Sequence, residues 1–136
     1  MSLMKPQSRL AFVALPTFAL LAAVSAASAA EDALKGIWAL NARECAIDEG
    51  PSSRMFIDLG AREKDKPAPI VDRYENHCRV LGVNQAGASY SLRLRCYEFW
   101  DDYRANQNSS RSTMKIIVRS ANALIIDGAA HVRCKK

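Results

Sequence analysis

The sequence contains few of the residues that carry out catalysis. Histidine occurs twice, at His77 and His131, and no serine lies in the G-x-S-x-G turn that exposes the nucleophile of many hydrolases. A general base needs a nucleophile or an acid within hydrogen-bond reach, and no recognisable motif places one beside either histidine. We therefore predict no catalytic residue and no enzymatic activity.

Closely spaced cysteines are also absent. The four cysteines, Cys45, Cys78, Cys96 and Cys134, follow one another at intervals of 33, 18 and 38 positions. Zinc and redox sites usually contain a pair such as C-x-x-C, so we predict no metal site and no cofactor. An even number of cysteines in a short exported chain is instead typical of disulfides. We expect two, each contributing about 3–4 kcal/mol in the chain-entropy account.

The pairing of the cysteines stays open, because two arguments conflict. Pairing Cys45 with Cys78 and Cys96 with Cys134 joins cysteines that are near in sequence, and we favour it because hairpin-linked cysteines need an unusual register. If each strand pairs with the next, however, Cys96 and Cys134 end at opposite edges of the sheet, beyond the Cα separation of about 7 Å that a disulfide spans. If the segments on either side of the NQAGA turn, residues 84–88, form a hairpin, Cys78 instead lies diagonally across from Cys96.

Long apolar runs are absent after residue 30, so we expect no stable membrane anchor there. The preceding residues have the layout of a secretory signal peptide, in which Lys5 and Arg9 precede a fifteen-residue apolar stretch and the small residues SAASAA. The stretch is shorter than the about twenty residues that cross a bilayer. We predict a signal peptide over residues 1–30, cleaved after Ala29 or Ala30, and a periplasmic or secreted protein.

Residues 31–136 are enough for one domain and too few for two. Loss of Lys5 and Arg9 lowers the formal net charge from +5 to +3, and both signs of charge are interspersed. This mild excess is not the pattern of a nucleic-acid-binding protein, and export makes nucleic acid a poorer partner still. We expect a monomer that does not bind nucleic acid.

The rest of the chain is dominated by alternation of apolar and polar residues. In YSLRLRCY, residues 90–97, the apolar side chains share one face and the arginines the other, as in a strand with one wet face. Six further segments are strand candidates: MFIDL, PIVDRY, NHCRVLGV, STMKIIVRS, ALIID and AHVRCK. The pattern predicts an all-β domain, a meander of seven or eight short strands cross-linked by two disulfides, with barrel and sandwich both open.

Between these strands the sequence predicts turns and loops with little helix. NQAGA, SAN and DG are turn signals, and REKDKPAP and DDYRANQNSSR read as solvated loops. One helical turn is expected before Gly36, and another between Asn41 and Asp48 with Asn41 as its cap. Trp38 is expected in the core.

The segment EFWDDY, residues 98–103, concentrates three acids and three aromatic side chains. One interpretation is structural, with Phe99 or Trp100 packed over the end of the core and the acids in water. The other is contact with a partner or ligand, which anchors of this type often make. The candidate contact residues here are Phe99, Trp100, Asp101, Asp102 and Tyr103. Paired carboxylates also suit glycosidic chemistry, although neighbouring acids diverge on most backbones.

Four arginines fall at outward positions of the predicted strands: Arg93, Arg95, Arg119 and Arg133. If their strands are neighbours, they form a basic stripe that fits an acidic partner or an anionic glycan. Such a face is more often solvated and protects a sheet from edge aggregation. Arg93 and Arg95 are added to the candidate contacts.

The motifs GIWAL, NHCRV, YSLRLRC and a closing HVRC occur here in the order seen in a loose group of small exported bacterial proteins. The chain resembles that group in its early G-x-W-A, its four cysteines and its terminal R-C. The resemblance implies export, and because the group has no assigned activity, it transfers none to this chain. A more limited similarity, at Gly36, Trp38 and Cys45, is to small periplasmic β-barrel inhibitors of proteases.

Together these observations predict an exported, non-enzymatic binding protein that contacts an envelope or extracellular macromolecule, in the manner of an inhibitor. The alternative is a carrier of a small ligand, with its pocket at a barrel mouth near Phe99 and Trp100. A small hydrolase that uses Glu98, Asp101 or Asp102 with a histidine is the third hypothesis.

Overall fold

Each run of alternating residues forms a strand whose apolar side faces inward. In the strand Ser89–Tyr97, the side chains of Tyr90, Leu92, Leu94 and Cys96 are buried while those between them face outward. Inward-facing apolar side chains from neighbouring strands form one core, as expected when only one face of each strand leaves water. The predicted core residue Trp38 is fully buried in it.

The computed structural model describes residues 25–135. It contains two α-helices, α1 (Ser25–Leu34) and α2 (Trp100–Ala105), and a short 3₁₀ helix at Glu44–Ala46. The ten strands are β1 (Gly36–Ala39), β2 (Met55–Asp58), β3 (Arg62–Glu63), β4 (Lys66–Pro67), β5 (Ile70–Arg73), β6 (Asn76–Ala86), β7 (Ser89–Tyr97), β8 (Ser110–Ser120), β9 (Ala123–Ile126) and β10 (Ala129–Arg133).

Eight of these strands close into an antiparallel barrel in the order β1-β10-β9-β8-β7-β6-β5-β2. The strands from β5 to β10 follow one another as a meander, and β1 completes the barrel by pairing with both β2 and β10. The all-β prediction is confirmed, and the open choice between barrel and sandwich is resolved as a barrel. Strands β3 and β4 form a separate exposed hairpin within the predicted REKDKPAP loop.

The predicted turns lie close to their sequence signals. Asp127 and Gly128 join β9 to β10 with positive φ angles of 47° and 85°, the left-handed conformation that favours a D-G pair in a tight hairpin. The side-chain oxygen of Asn41 accepts hydrogen bonds from the backbone N–H groups of Arg43 and Glu44, at the start of the 3₁₀ helix. The predicted signal peptide, residues 1–30, lies mostly outside the described residues, and α1 begins within its last part.

The favoured pairing of the cysteines is wrong. The disulfides are Cys45–Cys134 and Cys78–Cys96, and the second joins directly opposed residues of β6 and β7. A register shift between Val80 and Gly82 makes this pairing possible. Without the extra residue, Leu81, the register of the hairpin would place Cys78 opposite Tyr97 and on the other face from Cys96, because side chains alternate with period two.

The two disulfides join different parts of the barrel. Cys78–Cys96 links neighbouring strands at their inward face, whereas Cys45–Cys134 ties the loop after β1 to the end of β10. Cys134 is positioned by its own backbone N–H, which donates to the carbonyl of Ile37 at 2.8 Å. Two disulfides are consistent with an extracellular or periplasmic protein.

Helix α1 closes the end of the barrel where β1 begins and β10 ends. Its residues Ala30 and Leu34 belong to the core, and the Trp38 indole N–H donates to the Leu34 carbonyl at 2.9 Å. Arg133, predicted to face outward, is paired with Trp38 across β1 and β10 and lies over its ring, 4.2 Å from the centroid. Its guanidinium donates to three backbone carbonyls, those of Ala33, Lys35 and Ala121.

Candidate binding groove on the outer wall

A row of directly paired residues crosses the outer wall of the barrel. Ile37, Phe56, Asp72 and His77 are successive cross-strand partners on β1, β2, β5 and β6. Paired residues of an antiparallel sheet point to the same face, so these four side chains form the floor of a shallow groove. The groove has a volume of about 570 Å³.

Helix α2 provides one side of this groove. Trp100, its first residue, stacks on the ring of His77 with the ring centroids 3.9 Å apart and the planes inclined by 23°. Phe99 precedes the helix in an extended conformation and also lines the groove. Phe99 and Trp100 remain 53% and 39% exposed, so they present apolar surface to water instead of packing over the end of the core.

Arg79 and Tyr103 attach α2 to the barrel. Tyr103 is the buried residue of the helix, and its ring packs edge-on against Tyr97 with centroids 5.4 Å apart. The guanidinium of Arg79 lies 4.0 Å from the centroid of the Tyr103 ring and donates to the Tyr103 carbonyl at 2.7 Å. Burial raises the pKa of the Tyr103 hydroxyl, and the positive charge of Arg79 opposes this rise. This attachment holds Trp100 over the groove floor.

His77 is oriented by a carboxylate. Its Nδ1 lies 2.5 Å from Oδ1 of Asp72, its partner on β5, and the imidazole is buried beneath Trp100. No serine, threonine or cysteine lines the groove among the described residues. The Asp72–His77 pair therefore has no serine, threonine or cysteine side chain from the described part of the chain beside it in this groove, and its observed contacts orient the stacked rings.

Carboxylates dominate the charged groups of the groove. Five line it, Asp48, Glu49, Asp72, Glu75 and Glu98, against the two arginines Arg54 and Arg73. Asp48 pairs with Arg54 at 2.7 Å. The pKa of the exposed Tyr74 hydroxyl is raised mainly by its hydrogen bond to the Glu75 carboxylate and by the negative charge of Glu75. The charge of Glu49 raises it by a smaller amount. The site is negative although the whole chain has a formal net charge of +5.

The structure separates the residues that the sequence grouped as contacts. Phe99 and Trp100 line the groove, whereas Tyr103 is buried beneath α2. Asp101 pairs with Arg104 at 2.7 Å, and Asp102 accepts hydrogen bonds from the side chains of Gln107 and Asn108. These two acids fix the helix and the turn after it and do not line the groove.

Arg93 and Arg95 lie beyond α2, on a different part of the outer wall. We call this part the basic wall; it consists of outward-facing residues of β7 and β8, namely Arg93, Arg95, Arg111, Lys115 and Arg119. In the part of the chain that the structure describes, no ion pair includes any of these five side chains. Arg133 does not belong to the wall, because it faces the closed end of the barrel.

Sequence reasoning missed most of the groove. It treated the segment after Asp101 as a loop, yet α2 has acids in its first turn, Arg104 in its last turn, and Asn106 in the left-handed conformation (φ 52°) that commonly ends a helix. These signals were present in DDYRAN. Phe56, Asp72 and His77 had no such signal, because only strand pairing brings them together.

Comparisons with known proteins identify no relative: no protein-family model, curated protein or solved structure matches this chain. No helix among residues 25–135 has both the length and the apolar character needed to cross a membrane. Within the same residues, no three histidine, cysteine or acidic side chains are grouped so that they could hold a metal ion.

Proposed function

We propose that this chain is an exported, non-enzymatic binding protein that docks an extended basic segment of a partner protein in the groove beside Trp100. The observation that carries the proposal is the combination of exposed aromatic side chains and an excess of carboxylates in one groove. A partner that fills the groove with an aliphatic or aromatic side chain and places lysine or arginine at its margin satisfies both features.

The apolar part of the groove supports a docking role. Phe56, Phe99 and Trp100 are each more than one-third exposed and line the same depression. Aromatic side chains lose little conformational entropy when they are covered, and a buried tryptophan at the centre of an interface commonly contributes 2 kcal/mol or more. Their clustering supports contact with a macromolecule, since single exposed apolar residues need no explanation.

The charge of the groove selects the chemistry of the partner. Glu49, Glu75 and Glu98 have no ion-pair partner within the described residues, so a cationic segment would find carboxylates that are not already neutralised. A lysine or arginine can also lie over the face of Trp100, an arrangement worth about 0.5–2 kcal/mol.

Export is part of the proposal. The N-terminal pattern predicts cleavage after Ala29 or Ala30, and the two disulfides suit the oxidising compartment beyond the membrane. Leu34 in the core and the Trp38–Leu34 hydrogen bond both lie after the predicted cut, so the closed end of the barrel retains these contacts in the mature protein. If the partner protein needs the bound segment for its own activity, this protein would act as an inhibitor.

Peptide binding tests the proposal directly. The probe is a fluorescein-labelled, twelve-residue peptide of alternating lysine and leucine. The disulfide-bonded protein is titrated into this peptide at low salt, and binding is followed by fluorescence anisotropy. We expect saturable binding that Trp100→Ala weakens at least tenfold. Ile117→Ala, which removes an equally exposed apolar side chain from β8, should change the affinity less than twofold.

A peptide in which glutamate replaces every lysine provides the control for charge. Equal affinity for the two peptides, or unchanged binding by Trp100→Ala, would contradict the proposal. Circular dichroism and thiol titration of each variant establish that the barrel and both disulfides are intact.

A further inference from the structure

The end of the barrel opposite α1 contains a second depression, which none of the candidate contact residues lines. It has a volume of about 440 Å³, within the range of pockets that hold small molecules. Of the residues that the structure describes, Arg73 alone lines both this cavity and the outer groove. The expected barrel-mouth pocket therefore exists, but Phe99 and Trp100 do not form it.

Strand β8 shows why the lumen is open at this end. Its inward positions are Ser110, Ser112, Met114 and Ile116, which are paired with inward-facing residues of β7. Met114 and Ile116 are buried, whereas Ser110 and Ser112 are exposed although they face the lumen. Small side chains at the mouth leave space that larger residues fill deeper in the barrel, where eight-stranded barrels are usually packed.

The floor of the cavity is apolar and uncharged. It is lined by the buried side chains Trp38, Met55, Leu94, Met114 and Ile126, together with Cys96. Transfer of an ionised group onto such a surface costs far more than transfer of an apolar group. The floor therefore fits the apolar part of a ligand.

The rim of the cavity offers hydrogen-bonding groups without a dominant charge. Ser53 lines the rim, and its hydroxyl oxygen is buried without a hydrogen-bond partner in the described part of the chain. His131 also lines it, and its Nδ1 lies 2.8 Å from the carbonyl of Ala129, which makes Nδ1 the donor and leaves Nε2 an acceptor in the neutral ring. Glu44 and Asp127 are offset in part by Arg73.

We propose that this cavity binds a small, uncharged, amphipathic molecule. Its apolar part would lie against Trp38 and Met114, and a hydroxyl or amide group would reach Ser53 and His131 at the rim. This second binding activity goes beyond the docking of a basic segment, because it uses the interior of the barrel and a ligand of different chemistry. Because the Ser53 hydroxyl has no hydrogen-bond partner in the described part of the chain, a polar group of the ligand would supply one.

The test uses the neutral probe N-phenyl-1-naphthylamine and the intact, disulfide-bonded protein carrying Trp100→Phe, so that Trp38 is the only tryptophan. We expect saturable probe fluorescence with energy transfer from Trp38. Ser112→Phe, which fills the mouth from an inward position, should weaken binding at least tenfold. Thr113→Phe adds the same ring to the outward neighbour and should change affinity less than twofold.

Ser110→Phe provides a second obstruction at the mouth if Ser112→Phe does not fold. Absence of saturable binding, or binding that either obstructing variant leaves unchanged, would overturn the proposal. If the unsubstituted protein fails to bind the peptide while the Trp100→Phe protein binds the probe, only the proposal for the groove is refuted. The two sites can therefore fail independently.

Discussion

Two parts of the same outer wall carry opposite charge and differ in what else they present. The groove on β1, β2, β5 and β6 combines carboxylates with exposed aromatic rings, whereas the basic wall on β7 and β8 has five cations around one exposed aliphatic side chain, Ile117. A charged surface without apolar anchors is readily satisfied by water and salt. The exposed aromatic rings are therefore the reason that the proposed docking site is assigned to the groove and not to the basic wall.

Helix α2 forms the boundary between these regions, and a row of arginines shows how. Arg79, Arg95 and Arg111 are successive partners across β6, β7 and β8. Arg79 is covered by Tyr103, which lies against its guanidinium, and Arg95 is partly buried, whereas Arg111 is exposed. One cross-strand row thus supplies an attachment point for α2 at one end and an exposed cation at the other.

The largest expected effect comes from removal of this attachment. Tyr103→Ala deletes a buried ring that packs on Tyr97, Trp100 and Arg79, and large core truncations cost about 3–5 kcal/mol. We expect a loss of about 3 kcal/mol in the free energy of unfolding, measured by urea denaturation, together with weaker peptide binding. Arg104→Ala, which breaks only an exposed ion pair, should cost less than about 0.5 kcal/mol. Equal losses for the two variants would show that α2 is not anchored through Tyr103.

A smaller effect is expected when the charge of the groove is reversed. Glu49→Lys combined with Glu75→Lys should weaken binding of the lysine-leucine peptide about tenfold at low salt, and the difference should shrink above 0.5 M salt because the charges are screened. The matched control is Arg93→Gln with Arg95→Gln on the basic wall, which should leave the affinity within twofold. A stronger effect from the control pair would show that the peptide binds the basic wall and not the groove.

The smallest effect is expected on the basic wall itself. Arg111 directly opposes Arg95, and like charges at such positions are destabilising. Arg111→Glu replaces this repulsion with an attraction and should raise the free energy of unfolding by about 0.5 kcal/mol, whereas Arg111→Gln should give about half that gain. A loss of stability with either variant, measured by the same denaturation, would mean that Arg111 makes a stabilising contact.

The strands were predictable because their physical cause is local. Alternating side chains specify which face of β7 or β8 enters the core, and the Asp127–Gly128 turn specifies where one hairpin reverses. The disulfide pairing was not predictable in the same way. It depends on one bulge residue, Leu81, which shifts the register by one position and brings Cys78 and Cys96 to the same face.

The sequence by itself determined the all-β class, the inward and outward faces of the main strands, and the presence of an even set of cysteines suited to an oxidising compartment. Only the tertiary structure decided that the sheet closes into a barrel, that Trp100 stacks on His77, and that serines open one end of the lumen. The alternation of apolar and polar residues is a property of neighbouring positions in the chain, so it can be read from the sequence. Barrel closure, register and the groove depend on pairings between distant segments, such as β1 with β10, which no local pattern specifies.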